Sequence, residues 1–181
     1  MSRITSRLTF LLCATASALV LLAPSAFASG SRQSALLRES ASLDAGVLVQ
    51  LNHIRAAHGL HPLALNAKLS AAADQHTRDM VSTGYFAHDS HGTPFWKRIE
   101  GYYPSKAYSY WSVGENLFWE SGPVDAAAGM QAWMHSPEHR ANILSPTWHE
   151  IGIAAVTVPT APGTFDGLGV TVITTDFGVR R

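Results

Sequence analysis

The chain carries a single cysteine, Cys13, and it lies inside the apolar run Leu8 to Leu22 near the start. Arg3 and Arg7 precede that run, Pro24 follows it, and Ala26-Phe27-Ala28 has the small-x-small form of a processing site. A basic start, a short apolar stretch and such a triplet make up the layout of a removable export signal. The run is also shorter than the roughly 20 residues that a membrane-spanning helix needs. Residues 1 to 28 are therefore expected to be a signal peptide cleaved near Ala28, which makes the mature protein secreted. Cys13 leaves with the signal, so the mature protein has no thiol, no disulfide and no cysteine metal ligand. A protein bound for an oxidising compartment must then be held by packing alone. The remaining 153 residues suffice, since a chain of that size buries about 70% of its unfolded surface.

No second stretch is apolar enough to span a bilayer, and without Arg3 and Arg7 eleven basic residues stand against thirteen acidic. A slightly negative chain has no electrostatic case for nucleic acid or anionic membrane, and a monomer is expected. All nine histidines lie in the mature part, which makes them the residues to follow.

Residues 29 to 43 are Ser/Ala-rich without an apolar period and read as a short leader to one domain, 44 to 179. Asp44 is a candidate N-cap, after which Val47, Leu51, Ile54 and His58 share a stripe that Gly59 stops, predicting a helix over 45–58. Leu69, Ala72, Ala73, His76 and Met80 share the face of a second helix, 67–82. Thr93 as N-cap and Pro94 at the first helical position open a short helix with Phe95, Trp96 and Ile99. Residues 101–111 read as loop, and 113–118 as a strand broken at Gly114. A helix from Pro123 to Met134 stops before Pro137, and Ser136-Pro137 open another turn through Leu144. Ile151 to Ala155 and Gly169 to Thr175 read as strands joined by the loop 159–167. Helices first and a hairpin last imply an α+β fold with an antiparallel sheet covered by helices.

Four segments then occur in a telling order: Tyr85-Phe86-Ala87-His88, Gly114-Glu115-Asn116-Leu117, Trp133 through Ser136-Pro137-Glu138-His139-Arg140-Ala141-Asn142-Ile143-Leu144, and Glu150-Ile151-Gly152-Ile153. With the first two helices and the closing Asp176-Phe177-Gly178, this pattern resembles the bacterial, cysteine-free branch of the CAP superfamily. That superfamily takes its name from cysteine-rich secretory proteins, antigen 5 and pathogenesis-related proteins. The resemblance implies an α-β-α sandwich, its small antiparallel sheet flanked by helices. It also implies a surface cleft of two histidines and acidic residues that in some members binds a divalent metal such as zinc. Carried over, the metal histidines are His88 and His139 and the firmest cleft acid is Glu115. The second acid of longer relatives stands three residues after the tryptophan, where this chain has Ser136. Glu138 either replaces it or is a first-turn acid favoured by the helix dipole.

Spacing alone does not produce the site: His88, Glu115 and His139 lack the helical repeat of an H-E-x-x-H motif. Neutral imidazoles do suit zinc, and Glu115 beside Gly114 has the chemistry either to orient a histidine or to close a loop. His135 and His139 are separated by Pro137 and form no helical ligand pair, His88 and His91 share a polar turn, and Arg140 and Asn142 read as structural ties. His76 on its apolar stripe reads as a satisfied core or cleft-edge residue and His53 as solvated. Tyr102, Tyr103, Tyr108 and Tyr110 are candidates for a stacking surface toward sugar or an apolar ligand.

Three functions follow as expectations. The first is an extracellular binding module that holds a divalent metal and a cell-wall, lipid-like or peptide ligand. The second is a metal-assisted hydrolase with Glu115 as general base and candidate catalytic residue. The third is a secreted effector acting through its surface with a vestigial cleft. No G-x-S-x-G or S-x-x-K motif points to a serine nucleophile.

Overall fold

The computed structural model describes residues 25–181, with side chains from Ser40 onward. The expected signal peptide lies outside the described residues except for its last four positions, which open a helix. That helix, α1, spans Ser25–Ala57 and runs unbroken through the expected leader, so the domain's first helix extends well upstream of residue 45. Within the domain part, Val47 and Leu51 are fully buried, as their stripe requires.

The other elements follow their local chemistry. Strand β1, Ala64–Leu65, leads into α2, Ala67–Thr83. The Asn66 side chain caps α2 by accepting from the backbone N–H groups of Lys68 and Leu69, and Gly84 ends it at φ 80°. Helix α3 covers Phe95–Tyr102. Its expected Thr93 cap is not used: Pro94 holds the cap position, and Asp89 from the preceding loop accepts from Phe95 N at 3.1 Å. Strand β2 covers Trp111–Ser121 and passes through Gly114 without a break. Eleven residues of edge strand thus replace the short, interrupted one expected, because β4 pairs with its entire length. Helix α4, Ala126–His135, starts after Asp125, whose carboxylate accepts from Ala128 N at 2.9 Å, three residues later than Pro123 suggested. Helix α5 is Pro137–Ile143, β3 is Glu150–Val158, and a 3-10 turn at Gly163–Phe165 precedes β4, Val170–Arg180.

The sheet order is β1-β3-β4-β2. It is antiparallel except that the two residues of β1 pair parallel with β3. Alternation along the strands sorts the two faces. Ile151, Ile153, Ile173, Phe177 and Val179 pack with Val47, Leu51, Met130, Trp133 and Ile143 from α1, α4 and α5. On the other face, Val156, Val170, Val172 and Leu117 pack with Met80, while Leu69, Ala72, Ile99 and Tyr103 join α2 to α3. The result is the α-β-α sandwich. Among the described residues no helix is long and apolar enough to cross a membrane.

Two details position the cleft. The buried Arg55 guanidinium donates to the carbonyls of Ile143 (2.7 Å) and Ser145 (2.9 Å), which ties the carboxyl end of α5 to α1. Gly152 lets α2 lie directly on β3: a Cβ there would stand 2.0 Å from the backbone carbon of Leu69. Because that obstacle is backbone, neither side can yield cheaply. Gly152→Ala is expected to cost about 3 kcal/mol or more, at the upper end of overpacking penalties, read as a lowered urea midpoint at unchanged slope. A loss under about 0.5 kcal/mol, the size of an ordinary surface change, would contradict the close approach.

Candidate functional site

Strand β2 is an edge strand with chemistry on both faces. Glu115 sits opposite Asp176 of β4 on the face covered by α2 and α3, while Asn116 sits opposite Thr175 on the face of α4 and α5. Glu115 and Asp176 are both buried, at 4% and 0% exposure. Arg98 of α3 serves both: Nη2 forms a close ion pair with Glu115 Oε2, and Nη1 stands 3.5 Å from Asp176 Oδ2 while donating to the Ala72 carbonyl at 3.1 Å.

One cation against two buried carboxyls leaves the cluster short of positive charge. Burial pushes Glu115 up to about 7, against the pull of Arg98. Asp176 is raised well above the usual carboxylate range, first by burial and then by the charge of Glu115. His76 lies 3.9 Å from Glu115 Oε2, but burial and then Arg98 push it down to about 4. It is therefore neutral and forms no ion pair; its Nε2 donates to the Ala87 carbonyl at 3.0 Å.

The second oxygen of Glu115 faces outward. His88 Nδ1 donates to Oε1 at 2.8 Å, which fixes the tautomer and leaves Nε2 with its lone pair. The His88 side chain is 49% exposed, and its ring meets Phe95 edge-on with centroids 6.2 Å apart. Both belong to an open cavity of about 340 Å³, lined also by Val113, Gly114, Glu115, Asn142 and Trp148. Gly114 is needed for its floor, because a Cβ there would come within 2.9 Å of the Trp148 ring.

His139 arrives from the other face. It lies in the first turn of α5, half-buried, and its backbone carbonyl accepts from Asn116 Nδ2 at 3.0 Å. Asn142 in turn donates to the Glu115 carbonyl (3.1 Å) and to Asn116 Oδ1 (2.9 Å). Burial lowers His139, and the charge of His88 lowers it further. His139 is not among the residues lining the cavity. Burial lowers His88 as well, so both rings favour the neutral form that metal ligation requires.

The acids do not complete a cage. Both oxygens of Glu115 are engaged, by His88 and by Arg98, and Glu138 is exposed, 3.4 Å from its neighbour Ser136 Oγ. Glu138 does lie close enough to raise His139, against the effect of burial. Among the described residues no group of three or more histidine, aspartate or glutamate side chains stands in metal-holding geometry. The site brings together His88, Glu115 and the neighbourhood of His139, with Glu115 as orienting partner.

Other expected residues sort similarly. Asn142 is the structural tie foreseen for it, but Arg140 is exposed and Asn116 takes its place. His76 is a satisfied buried histidine, whereas His53, expected to be solvated, is exposed. Of the tyrosines, Tyr103 is buried while Tyr102, Tyr108 and Tyr110 are exposed; Arg180 lies over Tyr103 at 4.1 Å and Tyr108 at 4.8 Å, and Arg181 over Tyr110 at 4.9 Å. Arg98 was missed, its one sequence signal being its place on the same short helix as buried Ile99, and Asp176 was quoted within the closing segment of the family pattern but given no role.

Removing the cation tests this account. Arg98→Leu leaves two carboxyls buried without their cation and is expected to cost about 3–5 kcal/mol. Carboxyls whose folded pKa is raised bind more protons folded than unfolded, so they lose stability as pH rises above the unfolded value. Denaturation at pH 5 and pH 8 should show a larger deficit at pH 8, and a pH-independent deficit would contradict the buried pair.

Comparison with known proteins gives the lineage. The profile of the Cysteine-rich secretory protein family, CAP, matches residues 48–172. YkwD of Bacillus subtilis (strain 168) is 36% identical over 107 residues, 58% of this chain and 39% of YkwD. The membrane protein YlbC of the same organism is 28% identical over 109 residues, 59% of this chain and 30% of YlbC. This chain thus spans well under half the length of either relative. Among solved structures, an extracellular SCP-domain protein of Bacillus anthracis matches at TM-score 0.60 and 24% identity, covering 78% of this chain and 41% of its own. An outer surface protein of Borrelia burgdorferi matches at TM-score 0.56 and 19% identity, covering 74% of this chain and 90% of its own. Those structural likenesses speak to the fold alone. The family match across most of the domain, on a sheet that carries Glu115 opposite Asp176, makes this chain a member of the CAP superfamily.

Proposed function

We propose that this protein is an extracellular binding module whose cleft takes a divalent metal, zinc first, together with an unidentified wall-derived, lipid-like or peptide ligand. Support for its location comes from the export-signal layout of residues 1 to 28 and from relatives described as extracellular or outer-surface proteins. The observation that carries the reading is the 2.8 Å hydrogen bond from His88 Nδ1 to Glu115. It is the orienting contact that metal-binding histidines use, and it leaves Nε2 bare toward an open cavity.

The donor set limits the affinity. Catalytic zinc sites use three protein ligands and structural sites four, whereas His88 and His139 offer two imidazole nitrogens, with solvent or ligand oxygens completing the shell. The metal would supply a Lewis-acidic centre for an oxygen of the ligand; the chain's own part is to orient His88, keep both rings neutral and wall the cavity with Phe95, Val113 and Trp148. Binding is favoured over hydrolysis because Glu115, the one candidate general base, already spends one oxygen on His88 and the other on Arg98.

Titration calorimetry with zinc at pH 7.5 is expected to give one weak site. His88→Ala and His139→Ala should each abolish it, and Glu115→Gln should weaken it about 10- to 100-fold through loss of the orienting contact. Retention of the site in both histidine variants would remove the metal from this reading.

A further inference from the structure

His88 sits on a loop, and a loop gives a side chain little precision unless something fixes it. Helix α2 supplies the fixture. His76 and Asp79 stand three residues apart and so share a face of that helix. His76 donates to the carbonyl of Ala87, the residue directly before His88. Asp79 gathers the side chains on either side: its Oδ2 accepts from Tyr85 OH at 2.7 Å and from Ser90 Oγ at 3.0 Å, and stands 3.1 Å from His91 Nε2. These hydrogen bonds hold Asp79 below the usual carboxylate range, although burial pushes the other way. Tyr85 OH also lies 3.1 Å from Ser90 Oγ, which closes the ring of contacts.

The backbone of the loop is shaped to present those donors. Ser90 and Thr93 exchange backbone hydrogen bonds at 2.9 and 2.8 Å around a two-residue turn. Both central residues have positive φ, His91 at 47° and Gly92 at 82°. A histidine held in that region costs energy that its contact with Asp79 helps offset. Just beyond, Asp89 accepts from Phe95 N and so fastens the far end of the loop to α3.

We propose that Asp79 is a positioning residue of the cleft: by collecting Tyr85, Ser90 and His91 on one carboxylate oxygen, it sets where His88 stands relative to Glu115. This rests on the reading of His88 as the cleft's ligating imidazole, and it adds a residue that touches neither ligand nor His88 itself. Tyr85, Ser90 and His91 act through the same point, so their effects on His88 share one origin and are not additive.

The test reads the metal-free protein first. In nitrogen-15 spectra, wild-type His88 should show a protonated Nδ1 and a bare Nε2, the tautomer that Glu115 imposes. Asp79→Ala should shift His88 toward a mixture of tautomers, while the amide spectrum away from residues 85–93 and from the substituted turn of α2 stays unchanged. Asp79→Asn, which keeps an acceptor oxygen, should fall in between. Zinc affinity, measured separately, should drop about tenfold in Asp79→Ala, as it does when a contact that orients a ligand is lost. Should Asp79→Ala fail to fold, the double variant Tyr85→Phe with Ser90→Ala removes two of the three donors and is read the same way. An unmoved His88 tautomer in a folded variant overturns the proposal. A tautomer that shifts in a protein that binds no zinc leaves Asp79 in its role and removes only the metal.

Discussion

Arg98 is the side chain on which both the sheet and the cleft depend. Its guanidinium reaches Glu115 on β2, Asp176 on β4 and the Ala72 carbonyl on α2, so one fork-shaped cation ties α3 to the two strands and to the neighbouring helix. A lysine has one ammonium and no fork, and would leave one of these partners unmet. The arrangement is costly in isolation, since each buried ion gives up several kcal/mol of hydration. Part of that cost is offset because burial and the charge of Glu115 both push Asp176 toward its neutral form. Glu115 is thereby held from behind, and its remaining oxygen is free to orient His88.

The site exists because β2 is an edge strand. A central strand would have both backbone flanks paired and helices over both faces. Here one flank is open, and α5 is fastened onto it through Asn116 and Asn142, which donate to the His139 and Glu115 carbonyls. The Asn142 bond also occupies one backbone acceptor of this edge, the Glu115 carbonyl. The same contacts fix α5, and with it the backbone of His139, against the strand that carries Glu115. Gly114 permits this, because any side chain there would collide with Trp148 and Asn142.

Most of the fold was readable before any coordinates. The stripes of α1 and α2, the break at Pro137 and the closing strands rest on period and on proline or glycine chemistry, which are local. The misreadings are where a distant partner decides. Gly114 looked like a strand break, yet β4 pairs straight through it; Thr93 looked like a cap, yet Asp89 meets that N–H from the loop before it. The site divides in the same way. His88, Glu115 and His139 came from a family pattern, and spacing alone would not have found them. Arg98 carried no local signature, and Asp176, quoted only within the closing segment of that pattern, has its role from the strand register that sets it opposite Glu115. Glu138 stays at the surface in the first turn of α5, where the helix dipole favours a negative charge and where it acts on His139.

With no cysteine in its domain, the fold must get rigidity from contact distance. Gly152 lets the α2 backbone approach β3, and Gly84 and Gly163 pack backbone to backbone, so that a Cβ on Gly163 would lie 2.1 Å from the Gly84 carbonyl oxygen. These approaches press α2 onto the sheet on the same face as Glu115. Helix α2 is then a fixed reference: it carries Ala72, which Arg98 grips, and the His76–Asp79 face, which grips the loop of His88. A cleft half made of loop can be as precise as one made of helices when several side chains of the loop answer to one rigid element. That is why the packing of small residues in the core, far from any ligand, bears directly on the geometry of the imidazoles at the surface.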